Sequence, residues 1–352
     1  MTPSPVNAKR TLRKAALLFS VFFLIAFGLG YPILNRFDPR QTPGLSDVKA
    51  YAAITTGSST FEPGDMRYRR FRVLVPWLAR PFYQIARGRF GTWDPVLLGL
   101  LISDSLFVAG TALLIVILGT RQFGRSVTGL IGALLYLVNF AVPNLRLVGL
   151  VDAGEGFFLL ALLWCLSELK LWLLPIVAVL GALTKESFVP FSMMFSLTWW
   201  VLMLLDRNRE RGRAVTGQCE TIQNQYFRES VLIPASWLVG IATVVALQWS
   251  ITGTLVSPAH FAFTLHRDDG YHFAVPLFDR NLVYTFAWLL PTAIPNLKRL
   301  PKSWIIPVFA TCVLAFVMDA GFGGSGSAWG RALFSIAGPI LSLSSALFLI
   351  EL

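Results

Sequence analysis

A chain of 352 residues that is 55% hydrophobic and only 14% charged cannot enclose its apolar side chains within one water-facing globule. Its 30 Lys and Arg exceed its 19 Asp and Glu for a net charge of +11, but the cations are spread among the ends of apolar stretches, which argues for membrane sidedness and against a nucleic-acid partner. The composition implies a polytopic membrane protein, and an all-α one, because a lipid interior leaves open sheet edges unsatisfied.

The first apolar stretch, Ala15 to Leu34, follows Lys9, Arg10, Arg13 and Lys14. A basic segment before an apolar run resembles a signal peptide, but this run is long and no small-residue cleavage pattern follows it, so it reads as an uncleaved first span. In chain order, hydropathy predicts about ten spans, near 15–35, 95–118, 126–142, 152–167, 171–184, 188–205, 231–251, 281–297, 303–318 and 332–350. With the N-terminus cytoplasmic, the last crossing returns the C-terminus to the cytoplasm. Arg121, Arg125, Lys170, the run Arg207, Arg209, Arg211 and Arg213, and Lys298, Arg299 and Lys302 then all fall inside, as the positive-inside rule requires. A bacterial inner (plasma) membrane is the expected location. The segment 36–93 is basic yet outside, which the rule tolerates because long translocated loops contribute little.

The stretches 152–167 and 171–184 are short for spans, and short helices buried inside the bundle are the alternative. The largest loops, 36–93, 206–230 and 252–280, are too short for an ordinary domain core, which leaves one transmembrane domain over 1–352. Cys165, Cys219 and Cys312 fall in two spans and a loop, suggesting neither a disulfide framework nor a CxxC metal site.

This topology gathers Asp47, Arg67, Arg69, Arg70, Arg72, Arg146, Asp152, Glu155, Lys185, Glu186, Asp319 and Arg331 at the outer face. Charge at membrane depth is costly, so such residues pair or line a wet cavity, and their clustering points to a shared one. The run from Tyr68 to Phe82 alternates basic with apolar and aromatic residues, and its prolines argue against one long spanning helix. It is expected to be an amphipathic segment lying in the membrane interface, its arginines meeting lipid phosphate through planar guanidinium forks. Simple attraction to anionic lipid headgroups is the competing explanation. Within Gly44 to Ile54, Asp47, Tyr51 and Ile54 share a helix face at spacings of four and three, although Ser46 or Asp47 can equally be an N-cap.

Five short stretches carry a resemblance: Asp47 with Tyr51, Tyr68 to Ala79, Gly149-Leu150-Val151-Asp152-Ala153, Ala182-Leu183-Thr184-Lys185-Glu186-Ser187, and Gly330-Arg331-Ala332. In that order, after a first span, the chain resembles the integral-membrane glycosyltransferases of the GT-C superfamily, mannosyltransferase-like members among them. The resemblance implies transfer of a hexose from a polyprenyl-phosphate-linked sugar to a glycan, lipid or protein acceptor on the extracytoplasmic face. It implies Asp47 as general base, since an acceptor hydroxyl must lose its proton as it attacks the anomeric carbon. It also implies substrate binding by Tyr51, Arg69, Arg70, Arg72, Asp152, Lys185, Glu186 and Arg331, with cations stabilising the charge on the departing phosphate. The chain departs from the family in having one loop aspartate rather than an adjacent acidic pair, fewer spans than larger members and no appended soluble domain.

Each motif also has a structural explanation. Lys185 and Glu186 can be a neighbouring pair that eases burial at a span end, and Asp152 and Glu155 can complement a helix dipole. The Gly- and Ser-rich run Gly321 to Arg331 can present amides to phosphate or be an ordinary loop. Asp104, inside the second span, needs only a buried partner. His260, His266 and His272 recur every six residues beside Asp268 and Asp269, which is not a zinc spacing. No obligatory metal cofactor is therefore expected, a divalent cation being the open option. Two other functions compete: a transporter or lipid flippase, for which clear repeated halves and midplane breaks are wanting, and a noncatalytic assembly subunit.

Overall fold

The computed structural model describes residues 5–42, 45–58, 69–89, 91–211, 219–253, 280–321 and 326–352, and every regular element among them is helical. Five helical stretches are long and apolar enough to cross a membrane: Leu12–Asn35, Pro95–Phe123, Phe188–Arg207, Arg228–Thr252 and Gly330–Glu351. The predicted spans 15–35, 95–118, 188–205, 231–251 and 332–350 lie in these stretches. Shorter apolar helices occupy Ser126–Val138, Leu171–Thr184 and Lys302–Met318. At 1.5 Å per residue a 13-residue helix covers about 20 Å, less than the roughly 30 Å hydrocarbon core.

In chain order the longer elements are α1 Pro5–Gly30, α2 Asp47–Thr56, α3 Leu74–Ala86, α4 Pro95–Phe123, α5 Ser126–Val138, α6 Asp152–Ser167, α7 Leu174–Thr184, α8 Phe188–Arg211 and α9 Cys219–Thr252. They continue with α10 Arg280–Phe286, α11 Leu289–Ala293, α12 Lys302–Gly321 and α13 Gly326–Glu351. The segment 281–297, read from hydropathy as one span, is divided into α10, α11 and a 3-10 turn at Ile294–Arg299. Pro291 and Pro295 account for the breaks, since each lacks the amide that would continue an α-helical ladder.

The long helices α4 and α13 form the interior. The apolar window of α13 is 78% buried and that of α4 67%, against 17% for α9, which marks α9 as peripheral. Around α4 pack α1, α3, α5 and α6, while α13 contacts α5, α6, α11 and α12. Lipid tails are as apolar as Leu, so helix association here depends on close packing and polar ties more than on escape from water. Gly99 of α4 shows the consequence: a Cβ there would lie 2.7 Å from the Ala79 carbonyl oxygen, so only glycine lets α3 seat against α4. Polar ties appear at the other end, where Arg207 of α8 donates two hydrogen bonds of 2.7 Å to the Glu229 carboxylate of α9.

The helix α3 buries Val75, Pro76, Ala79 and Ala86 and exposes Trp77, Leu78 and Ile85. Pro76 sits in its first turn, where the missing amide costs nothing, and Pro81 is carried within it.

Candidate functional site

The site begins with α2. A glycine in the left-handed region, Gly57 with φ +75°, ends this helix, and Asp47 in its first turn favours the helix dipole. Ser46 makes no capping bond, so the helix start is not what holds Asp47. Asp47 and Tyr51, one turn apart, are both buried, and Ile54 is half-buried beside them. Arg69 and Arg70 lie in a 3-10 turn, Arg69–Phe71, that packs on α2. Immediately after it, the Val73 amide donates to the Leu183 carbonyl at 2.9 Å. That single backbone bond joins the arginine segment to the outgoing end of α7.

Lys185, directly after α7, is extended, with φ −162° and ψ 137°, and Glu186 and Ser187 form the turn that opens α8. In this break between two helices, Glu186 turns to Arg72 while Lys185 turns to α6. Arg72 Nε donates to Glu186 Oε2 at 2.9 Å, and its Nη1 donates to the Tyr51 hydroxyl at 3.0 Å. Arg69 Nη2 lies 2.8 Å from Asp47 Oδ1, and Arg72 Nη1 lies 3.8 Å from Asp47 Oδ2. On the other side, Lys185 Nζ donates to Asp152 Oδ1 at 2.9 Å and to Glu155 Oε2 at 3.0 Å. The Ser187 hydroxyl also donates to Glu155. Lys185 and Glu186 are thus not a mutual pair; each joins a different half of one network.

Two glycine effects make α6 fit this geometry. Gly149 has φ +83° and donates its amide to Asp104 Oδ2 at 3.0 Å, which fixes the turn that delivers Asp152. This supplies the buried partner of Asp104. Gly154, between the two acids, leaves room for α7: a Cβ there would lie 2.7 Å from Thr184 Cγ2. Without that close approach, Lys185 would stand farther from both carboxylates.

Arg146 completes the cluster. It is 1% exposed and ends the short π-helical turn Val142–Arg146. Its guanidinium donates to the Asp152 carbonyl, to the Arg331 carbonyl at 3.0 Å and to Ser335 Oγ at 2.6 Å, and it lies over the Phe334 ring at 5.5 Å. Arg146 therefore clamps α6 to α13 through their backbones, and the side chains meet as well, Arg331 Nη1 being 3.6 Å from Asp152 Oδ2. Arg331 is inside α13 rather than in the preceding Gly-rich run, whose residues 322–325 lie outside the described residues.

The electrostatics follow from burial and pairing. Burial pushes the Tyr51 phenol up to about 12, with Arg72 opposing, so Tyr51 stays neutral and accepts from the guanidinium. Burial would raise the Glu186 carboxyl, but Arg72 overrides it and holds the group below the usual carboxylate range. Burial would lower Lys185, yet Asp152 and then Glu155 keep its ammonium above the usual lysine value. The network is graded in access: the Glu155 side chain is 0% exposed and Asp152 4%, whereas Arg69 is 23% and Glu186 24%. Access is greatest at Arg69 and Glu186, while Asp47, Arg331 and Lys185 are similarly enclosed, at 12%, 12% and 14%.

Of the residues singled out in the sequence, Asp47, Tyr51, Arg69, Arg72, Asp152, Lys185, Glu186 and Arg331 meet in this network, and Arg70 is half-buried in the same turn as Arg69. Arg146, Glu155 and Ser187 are partners not singled out as site residues. The glycines on both sides of Glu155 were the available signal: a Cβ at Gly156 would lie 3.1 Å from Arg146 Nη1.

An apolar groove of about 560 Å³, lined by Leu282, Phe286, Leu290, Leu333, Ala337 and Leu341 among others, shares helix α13 with the network but none of its residues. Along α13 it starts at Leu333, about 200° round the helix from Arg331, and the stretch from Leu333 to Leu341 carries it about 12 Å. Among the described residues there is no group of three or more His, Cys, Asp or Glu arranged to hold a metal ion. His260, His266, His272, Asp268 and Asp269 lie outside the described residues.

Fold and site together define a helical membrane protein with an ion network drawn from well-separated parts of the chain. Compared with protein-family models and with curated proteins, the sequence matches none of them.

Proposed function

We propose that this protein is a GT-C-type membrane glycosyltransferase that moves a sugar from a polyprenyl-phosphate carrier to an acceptor on the extracytoplasmic face. In this reading the chain crosses about ten times, keeps both termini in the cytoplasm of a bacterial inner membrane and lays α3 in the outer interface through Trp77, Leu78 and Ile85. The observation that carries the reading is the convergence of Asp47, Arg69, Arg72, Lys185, Glu186, Asp152 and Arg331 in a fold whose helix α13 also bears an apolar groove. A lipid-phosphate sugar needs both an apolar slot and fixed cations.

Each group then has a task. Asp47 Oδ1 is held by Arg69, while Oδ2 stands 3.8 Å from the nearest guanidinium nitrogen of Arg72, leaving lone pairs to take the acceptor proton. As that proton leaves, the acceptor oxygen bonds to the anomeric carbon, the carbon–oxygen bond to phosphate breaks, and the electron pair departs with polyprenyl phosphate. Arg72 and Arg331 stabilise that charge where it develops. Lys185, bonded to two carboxylates, positions Asp152 and Glu155 and so acts through Arg331. The carrier chain occupies the Leu282–Leu341 groove.

The test is transfer by purified protein in proteoliposomes supplied with a polyprenyl-phosphate-linked hexose. Wild type is expected to transfer, and Asp47→Asn to lose at least ~10²-fold in kcat, the scale of a general base, with unchanged unfolding temperature. Unaltered transfer by Asp47→Asn removes Asp47 from the chemistry. Counterflow of labelled substrate without any transfer assigns a transporter instead.

A further inference from the structure

The opposite end of the bundle contains a second cavity with different chemistry. The α6 helix carries Asp152 at one end and Ser167 at the other, about 22 Å apart at 1.5 Å per residue. At the Ser167 end a cleft of about 330 Å³ opens between the ends of α4 and α6, the flank of α8 and the start of α12. Its walls divide by polarity. Leu118, Trp199 and Trp304 form an apolar floor, both tryptophans being buried, and Arg121, Glu168 and Ser303 form a polar rim.

The rim presents both signs of charge. Arg121 Nη1 pairs with Glu168 Oε2, yet the Arg121 side chain is 58% exposed and Glu168 only 15%. The guanidinium therefore keeps donors directed outward, while the carboxylate sits deeper. Helix ends add partial charges of the same two signs: α12 begins here with Ser303 in its first turn, and α4 and α6 finish here with their carbonyl ends. A purely anionic ligand meets Glu168, and a purely cationic one meets Arg121. A zwitterion satisfies both.

We propose that this cleft binds the headgroup of an amine-bearing zwitterionic phospholipid, with phosphate on Arg121 and Ser303 and the ammonium against Glu168. A primary ammonium donates hydrogen bonds to a carboxylate and to helix-end carbonyls, which a trimethylammonium cannot do. The apolar floor takes the glycerol and the first acyl carbons, so the ligand is a lipid rather than a free zwitterion. The volume is in the range of small-molecule sites, roughly 300–1,000 Å³. The proposal does not depend on the transferase reading, since the cleft shares no residue with the ion network.

The experiment is retention of dioleoyl phosphatidylethanolamine, phosphatidylcholine or phosphatidylglycerol by delipidated full-length protein, read by native mass spectrometry. Wild type is expected to retain phosphatidylethanolamine about tenfold better than the other two, a difference of ~1.4 kcal/mol. Glu168→Gln, which leaves Arg121 uncompensated, shifts the preference to phosphatidylglycerol, and Arg121→Gln abolishes the preference. Free phosphoethanolamine does not compete at equal concentration. Equal retention of the three lipids by wild type overturns the proposal, as does an unshifted preference in both variants or competition by the free headgroup. A photoactivatable phosphatidylethanolamine on unmutated protein serves where a variant does not fold: labelling at Trp199 or Trp304 supports the site, and labelling confined to other helices contradicts it.

Discussion

The two ends of this bundle handle charge differently. At one end, residues from α2, the 69–72 segment, the α7–α8 link, α6 and α13 share one network in which Asp47, Lys185 and Asp152 each have two cationic or acidic partners. At the other, the ion pairs are separate: Arg207 with Glu229, Arg121 with Glu168 and Arg299 with Glu351. A lone pair ties two helices together. A shared network fixes several reactive groups relative to one another, which is what positioning for chemistry requires. The backbone differs too: Gly57 and Gly149 take the left-handed conformation at the network end, whereas at the other end a non-glycine, Leu169, does so with φ +53°.

This contrast can be broken first at Glu155. Replacing it with Ala removes a buried acceptor of Lys185 and Ser187, and truncating one partner of a buried pair costs about 3–5 kcal/mol. Chemical unfolding in detergent is the measurement, and a loss below about 1 kcal/mol would show that the network does not hold this end together. Next in size are the two turns. Gly149→Ala must place a side chain at φ +83°, where its Cβ also meets Val48 Cγ1 at 3.2 Å, so a loss of at least ~1–2 kcal/mol is expected. Leu169→Gly should change stability in the opposite direction, a gain of about 1 kcal/mol.

A pH series sharpens the comparison. Glu186 has a depressed folded-state pKa, so its stabilisation is present above the unfolded value near ~4.3 and is lost as pH falls through the folded value. Lys185 has a raised one, so its stabilisation is complete below about 10.4 and is lost as pH rises through the folded value. Unfolding temperature should therefore be level between those limits and fall on both sides, and Glu186→Gln should make the acid-side fall shallower while leaving the alkaline side in place. The smallest effect belongs to the exposed pair at the other end: Arg299→Ala should cost no more than ~1 kcal/mol, and a larger loss would erase the distinction between the ends.

Much of the helical architecture was legible in hydropathy, because runs such as Pro95–Phe123 and Gly330–Glu351 are long and predominantly apolar. The broken stretch around α10 and α11 escaped a hydropathy reading, since the average ignores Pro291 and Pro295. The site residues were legible as types, for a charge in an apolar neighbourhood stands out. Their pairing was not. Arg72 meets Glu186 across 114 positions and Arg146 meets Ser335 across 189, distances over which no local period operates. Arg146 was visible only as one more outer-face cation because its role is exerted through carbonyl groups that no side-chain pattern encodes.

The claim at the centre is that the network and the groove along α13 hold one lipid-phosphate ligand. A density map of the protein with a bound polyprenyl phosphate measures this most directly. The phosphate should rest within hydrogen-bond reach of Arg72 or Arg331, with the chain along Leu333, Ala337 and Leu341. A phosphate bound elsewhere, with the Asp47 network closed and unchanged, would contradict it.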